Sequence, residues 1–147
     1  MDSRIYQEVQ CALFACWREV DINSGIHTHE FYETDGELWL GTRGFRGREE
    51  IRRFYAWRRS GLSRTTRHLV INPIADFASN VVTVNYTLVV FAGTGDVPTI
   101  TAPPNTISDA TAQLARHGDG WMFRHHQLVS VMVGGQNGLQ IPDELPV

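Results

Sequence analysis

His68 is the residue of this chain best suited to move a proton. It lies at the centre of Thr65-Thr66-Arg67-His68-Leu69-Val70-Ile71-Asn72-Pro73. β-branched and aliphatic residues dominate this stretch and proline closes it, so it reads as a buried strand. An imidazole has an ordinary pKa of about 6.5, so it can take or give a proton near neutral pH without a large shift. If Val70 faces a core or a cavity, strand alternation puts His68 and Asn72 on that same side. A histidine placed so serves equally as a core residue satisfied by a backbone carbonyl. The stretch by itself leaves both roles open.

Other residue types narrow the chemistry. All 13 basic residues are arginine, and the absence of lysine excludes Schiff-base and lysine-bound pyridoxal phosphate chemistry. Cys11 and Cys16 are the only cysteines. Five residues apart on a helix they point in different directions, so they read as small buried hydrophobes rather than a disulfide. No CxxC, Gly-rich phosphate loop or GxSxG elbow is present. His27-Thr28-His29 and His125-His126 invite a metal reading. On a helix the first pair would lie about 200° apart, which suits one ion poorly, and no metal is expected. Arg52-Arg53 and Arg58-Arg59 read as a solvated helix side, with capture of an acidic substrate or a coenzyme A phosphate as the alternative.

The elements that must position His68 follow from periodicity. Residues 3–21 form an amphipathic helix, with Ser3 as N-cap and Ile5, Val9, Leu13, Cys16, Trp17 and Val20 at helical spacing. Asp21 closes the run. A carboxylate at a helix C-terminus opposes the macrodipole, so it is either solvated or held by something else. Residues 26–32 suit a short second helix anchored by Phe31. Asp35-Gly36 signals a turn, 37–40 a strand, and 41–47 a tight return carrying Phe45. A third helix covers 48–59, with Ile51, Phe54, Tyr55 and Arg58 on its inner face. Four long antiparallel strands follow, at 65–74, 81–92, 107–117 and 121–133. A Gly- and Pro-rich loop over 93–106 suits a lid or a subunit contact. Residues 1–133 read as one domain, and 134–147 as a tail that is disordered or ordered on contact. Helices first and strands after argue for α+β, with three N-terminal helices packed on one face of a curved antiparallel sheet.

With 147 residues, 42% apolar and 20% charged, the chain can bury one core. A net charge of −3 gives no reason to expect nucleic acid or an anionic membrane as partner. No apolar run approaches the roughly 20 residues that span a bilayer. The N-terminus has no signal-peptide pattern, so a cytoplasmic protein is expected.

The order of motifs resembles the nuclear transport factor 2-like superfamily, in its SnoaL-like branch. It rests on a first helix ending in Asp21, Phe31-Tyr32-Glu33-Thr34-Asp35-Gly36-Glu37-Leu38, Phe45-Arg46-Gly47-Arg48-Glu49-Glu50-Ile51 running into Phe54-Tyr55, Thr66-Arg67-His68, and Asp119-Gly120-Trp121-Met122-Phe123. Each piece is weak; together they cover about residues 4–132. The resemblance implies a cone-shaped (cystatin-like) sheet wrapped around the helices, with a pocket at its open end. Scytalone dehydratase, bile acid 7-alpha-dehydratase and hexachlorocyclohexane dehydrochlorinase share an Asp at the end of the first helix and a His on the strand after the third. Asp21 and His68 match those positions. Cys16 and Trp17 stand where many relatives carry a tyrosine, which sets this chain apart. The single-base isomerase pattern and the Asp–Arg–Asp set of epoxide hydrolases are not evident.

The resemblance therefore implies Asp21 and His68 as a catalytic pair: a carboxylate on Nδ1 fixes the tautomer and stabilises the imidazolium. The natural chemistry is proton abstraction next to an activating group, followed by loss of water or another leaving group. The expected activity is a cofactor-independent, dehydratase-type lyase acting on a small hydrophobic, polycyclic or polyketide-like molecule. An isomerase or cyclase using the same pair is one alternative, and a non-catalytic ligand-binding or subunit-interaction domain is another. Trp17, Tyr32, Trp39, Tyr55 and Tyr86 are the candidate aromatic pocket lining, with Tyr86 the best placed hydroxyl. Asp109 joins them as a mid-strand polar residue. His125 and Gln127 alternate with Phe123 and are expected in the pocket, leaving Arg124 and His126 outward. The outer sheet face is the expected surface of a homodimer or homotrimer.

Overall fold

The computed structural model describes residues 2–61, 63–100, 104–134 and 139–147. Helix α1 spans Ser3–Asn23. Asp2, not Ser3, is its cap, and its side chain accepts the Arg4 N–H at 2.9 Å. Val9, Leu13, Cys16, Trp17 and Val20 form its buried stripe. Cys11 lies off that stripe and is exposed, so only one of the two cysteines is buried. The helix continues past Asp21 and stops where Ser24 (φ 55°) and Gly25 (φ 76°) adopt left-handed backbone. Glu19 secures the exit, accepting from Asn23 Nδ2 at 2.9 Å and from His27 N at 2.8 Å.

The helix expected over 26–32 is a single 3-10 turn, Thr28–Phe31, so two α-helices and not three pack on the sheet. A segment this short closes too few helical bonds to compete with strand pairing. Tyr32 already belongs to β1, Tyr32–Leu40, where it pairs with Phe123. Asp35-Gly36 is likewise no turn. It is a bulge inside β1, whose register against its neighbour shifts between Tyr32 and Glu37. A Cβ on Gly36 would lie 2.7 Å from the Phe123 carbonyl oxygen, so this close approach requires glycine.

Strand β2, Arg43–Arg46, returns beside β1 and carries the buried Phe45. Helix α2, Arg48–Arg59, has Glu49 and Glu50 in its first turn and Arg58 and Arg59 in its last, both favourable to the macrodipole. It buries Ile51, Phe54 and Tyr55. Then come β3 (Arg64–Ala78), β4 (Val81–Thr94), β5 (Thr106–His117) and β6 (Gly120–Val133). The six strands form one curved sheet in the order β2-β1-β6-β5-β4-β3. It is mixed rather than antiparallel throughout, because β1 runs parallel to β6.

Two bulges redirect side chains. In β3, Asn72 (φ 53°) and Pro73 together oppose Tyr86, so the alternation breaks and Asn72 turns out to solvent. Pro73, lacking an N–H, is tolerated because β3 is an edge strand. In β6 the register shifts between Phe123 and His125, with Arg124 as the extra residue. The parity beyond it reverses: Phe123 and His126 both point inward.

On the inner face α1 meets β3 and β6, and α2 meets β1 and β2. Of the 93–106 loop, Gly93 and Thr94 belong to β4, and Asn105 donates its N–H to the Val90 carbonyl at 2.6 Å. Pro103 of that loop and residues 135–138 of the tail lie outside the described residues. Leu139, Ile141 and Leu145 pack on the core, and Arg43 donates to the Asp143 carbonyl at 2.7 Å.

His126 is fully buried, at 0% exposure. The Tyr32 hydroxyl lies 3.0 Å from its Nδ1 and the Tyr86 hydroxyl 2.5 Å from its Nε2. A neutral ring donates through one nitrogen and accepts through the other, so the two phenols satisfy it in either tautomer. Its ring stacks on Phe123 with centroids 4.7 Å apart. Burial drives its pKa down to about 3, with His125 pushing the same way. The unfolded chain therefore takes up this proton first, and the stability present above about pH 6.5 is lost as pH falls toward the folded value. Between pH 7 and pH 5 His126 is expected to cost about 2 kcal/mol in urea unfolding, while its ring stays unprotonated by NMR at pH 5. Leu13→Ala, which empties a fully buried site, is expected to lower stability by about 2–5 kcal/mol in the same assay.

Candidate active site

The C-terminal part of α1, the last turn of α2 and the first half of β3 converge on one cavity of about 610 Å³. Trp17, Val20, Phe54, Tyr55, Leu88 and Leu128 supply much of its apolar wall. Polar groups are few: His68, Arg58, Arg64 and the neutral side chains of Asn105, Thr106, Ser108, Ser130 and Gln140. Leu139 and Ile141 from the C-terminal segment close one side.

His68 lines this cavity, and Asp21 stands behind it. Asp21 Oδ1 is 2.5 Å from His68 Nδ1, and each of the two side chains is only 9% exposed. The same carboxylate accepts the backbone N–H of His68 at 2.8 Å through Oδ2, and the Thr66 hydroxyl at 2.9 Å through Oδ1. Thr66 in turn accepts from Arg58 Nη2 at 3.3 Å. The chain of contacts runs Arg58, Thr66, Asp21, His68. The indole of Trp17 lies flat on the imidazole, with centroids 4.6 Å apart and planes 12° apart. Trp17 Nε1 donates to the Tyr86 hydroxyl at 3.1 Å, which fixes the indole rotamer from below.

The electrostatics assign the proton. Burial raises the Asp21 carboxyl, but the hydrogen bonds and charge of His68 and the bond from Thr66 outweigh it, and its pKa ends below the ordinary value. Burial lowers His68; Asp21 opposes this, and Arg58 and Arg64 reinforce it, so the imidazole ends below its ordinary value. The depressed Asp21 alone would suit an ion pair, whereas the depressed His68 suits a neutral ring. Burial beside two guanidiniums decides for the neutral ring. At pH 7 an ionised Asp21 accepts Nδ1–H from a neutral His68, leaving the Nε2 lone pair as the basic site.

Several other expected pocket residues lie elsewhere. Tyr55 and Trp17 line the cavity. Tyr32 and Tyr86 do not: both are buried behind it, bonded to His126. Trp39 is on the outer face, where its Nε1 donates to Glu37 at 2.7 Å and Arg46 covers its ring. Asp109 is exposed, since β5 turns its neighbours Ser108 and Ala110 inward. His125 and Gln127 also leave the cavity, because the Arg124 bulge gives the inward positions to His126 and Leu128. Arg124 is exposed and donates to Glu33 at 2.8 Å. Among the described residues no three His, Cys, Asp or Glu side chains group as metal ligands. His27 instead pairs with Glu30 at 2.8 Å.

Arg64, Thr66 and Ser108 were not anticipated. Thr66 shares strand parity with His68, and Ser108 shares it with Ala110, Ala112 and Leu114, so both were open to prediction. Arg64 begins its strand and had no periodic signal.

No family model and no curated protein matches the chain. Solved structures do. A candidate scytalone dehydratase from Novosphingobium aromaticivorans aligns with a TM-score of 0.75 at 17% identity, over 94% of this chain and 91% of that one. ActVI-ORFA from Streptomyces coelicolor aligns at 0.74 and 16% identity, over 86% and 97%. An NTF2-like protein of cystatin-like fold from Novosphingobium aromaticivorans aligns at 0.68 and 16% identity, over 86% and 81%. The chain therefore has the nuclear transport factor 2-like, cystatin-like fold that its motif order resembles.

Proposed function

We propose that the protein is a cofactor-independent lyase of the dehydratase type, with His68 as general base and Asp21 as the residue that orients it. The observation that carries this reading is the Asp21–His68 bond at the wall of a mainly apolar cavity. The cavity volume is in the usual range for small-molecule sites, about 300–1,000 Å³. Nε2 removes a proton from carbon beside an activating group. The electron pair then expels a hydroxyl, which leaves as water by taking the proton back from the imidazolium that Asp21 stabilises, or expels another leaving group as its anion. Likeness to a candidate scytalone dehydratase favours elimination over isomerisation or cyclisation by the same pair.

His68→Ala is expected to lower turnover of an eliminating aromatic or polyketide-like substrate by about 10²–10⁴-fold, with the fold retained by circular dichroism. Full turnover in both His68→Ala and Asp21→Asn rejects the pair as the source of the catalysis.

The base form is the neutral ring, and the His68 pKa is depressed. kcat/KM should therefore rise through a single acid limb lying below about pH 6.5 and stay level above it. Asp21→Asn should lower the plateau and move the limb to still lower pH, because the carboxylate that supports the imidazolium is gone.

Self-association through the outer sheet face belongs to the same reading. Leu69, paired with Val89, and Ile71, paired with Thr87, expose 41% and 38% of their surface there. Light scattering is expected to give a dimer or trimer for the parent chain and a smaller species for Ile71→Glu.

A further inference from the structure

His68 meets α1 twice. Asp21 takes its edge at Nδ1, and Trp17, one turn earlier on the same helix face, covers its plane. The two rings lie 12° from parallel with centroids 4.6 Å apart. Trp17 is 5% exposed and the His68 side chain 9%, so little water reaches the contact. An indole face carries the negative part of the ring quadrupole. It attracts a cation lying over it, more strongly where water is excluded. An imidazolium therefore gains more from this face than a neutral imidazole does.

The indole is held in that position. Its Nε1–H donates to the Tyr86 hydroxyl at 3.1 Å, and the same hydroxyl lies 2.5 Å from Nε2 of the buried His126. Strands β4 and β6 thus fix one side chain of α1 from below. The charged groups that act on His68 are Asp21 from α1, which favours the imidazolium, and Arg58 from α2 and Arg64 from β3, which oppose it. The other titratable groups packed around the pair are neutral. Burial pushes the phenols of Tyr55 and Tyr86 up and the imidazole of His126 down.

We propose that Trp17 is a positioning residue of the site: its indole face, held by Tyr86, stabilises the imidazolium of His68 over the neutral ring. In turnover the same contact favours the base once Nε2 has taken the substrate proton; that consequence rests on the lyase reading above, and the effect on titration does not. A Trp17 that served only as a wall would act with the opposite sign. Burial lowers the His68 pKa, so a smaller side chain in a mere wall admits water and raises it. Loss of a cation–π partner lowers it.

The test is a pH titration of the His68 ring by NMR in the full chain. Trp17→Leu should move the midpoint down by about 0.5–1 pH unit, and Trp17→Phe by less, because a phenyl face is weaker than none but poorer than indole. Tyr86→Phe keeps the indole and removes its acceptor, so the midpoint should fall there too, by less than in Trp17→Leu. Trp39→Leu, which removes an indole from the outer face, should leave it unchanged. Circular dichroism checks the fold of each variant, and Trp17→Phe, which keeps a ring, decides the question if Trp17→Leu misfolds. A midpoint that rises or stays in the Trp17 variants overturns the proposal. An unmoved midpoint in Tyr86→Phe overturns the part given to Tyr86. His68→Ala turnover separates the two readings. An unmoved or raised midpoint with His68-dependent turnover intact rejects only the role of Trp17. A midpoint that falls as expected, with full turnover in His68→Ala, rejects only the lyase.

Discussion

A carboxylate near the end of a helix works against the helix dipole, and α1 offers no basic residue in its last turn to offset it. Asp21 is held there by β3, which supplies the Thr66 hydroxyl, the His68 backbone N–H and the His68 ring within one short segment. One side chain thus fastens the end of α1 to the edge strand of the sheet. The bond orients His68 and joins helix to strand, so the geometry of the candidate site and the docking of α1 share a cause. Removing the carboxylate would leave a buried N–H and a buried hydroxyl without their acceptor.

Behind the site a second polar set crosses the core. Trp17 stacks on His68 and donates to Tyr86; Tyr86 and Tyr32 bracket the buried His126. Every member is neutral, as burial demands: both phenols are pushed up and the imidazole down. A network with its partners in place specifies one packing arrangement, whereas a partly satisfied one destabilises. The indole beneath the imidazole therefore sits on a rigid floor, and the His68 ring has little freedom to tilt. The cavity above it combines an apolar wall with the side chains of Arg58 and Arg64.

Much of this was open to reading in one dimension. The stripe of Val9, Leu13, Cys16, Trp17 and Val20, the inner face of α2 and the long strands all follow from spacing, because helix and strand periods repeat within a few residues. His68 and Thr66 face inward by simple alternation. The same rule failed for Asn72, His125, Gln127 and His126, each near a bulge. A bulge depends on what the partner strand presents, and a single extra residue reverses every side chain beyond it.

The sequence by itself determined the two long helices, the long strands, the α+β order and that His68 shares a strand face with Val70, because these depend on local periodicity; the 3-10 turn at Thr28–Phe31 and the bulge at Asp35-Gly36 did not follow it. It also excluded lysine chemistry outright. Tertiary structure alone decided that Asp21 meets His68 at hydrogen-bond distance, that His126 and not His125 enters the core, and that Arg58 and Arg64 line the same cavity. Those facts depend on register, bulge position and the crossing of α1 over β3. The Asp21–His68 contact joins residues 47 positions apart, and no local pattern records it.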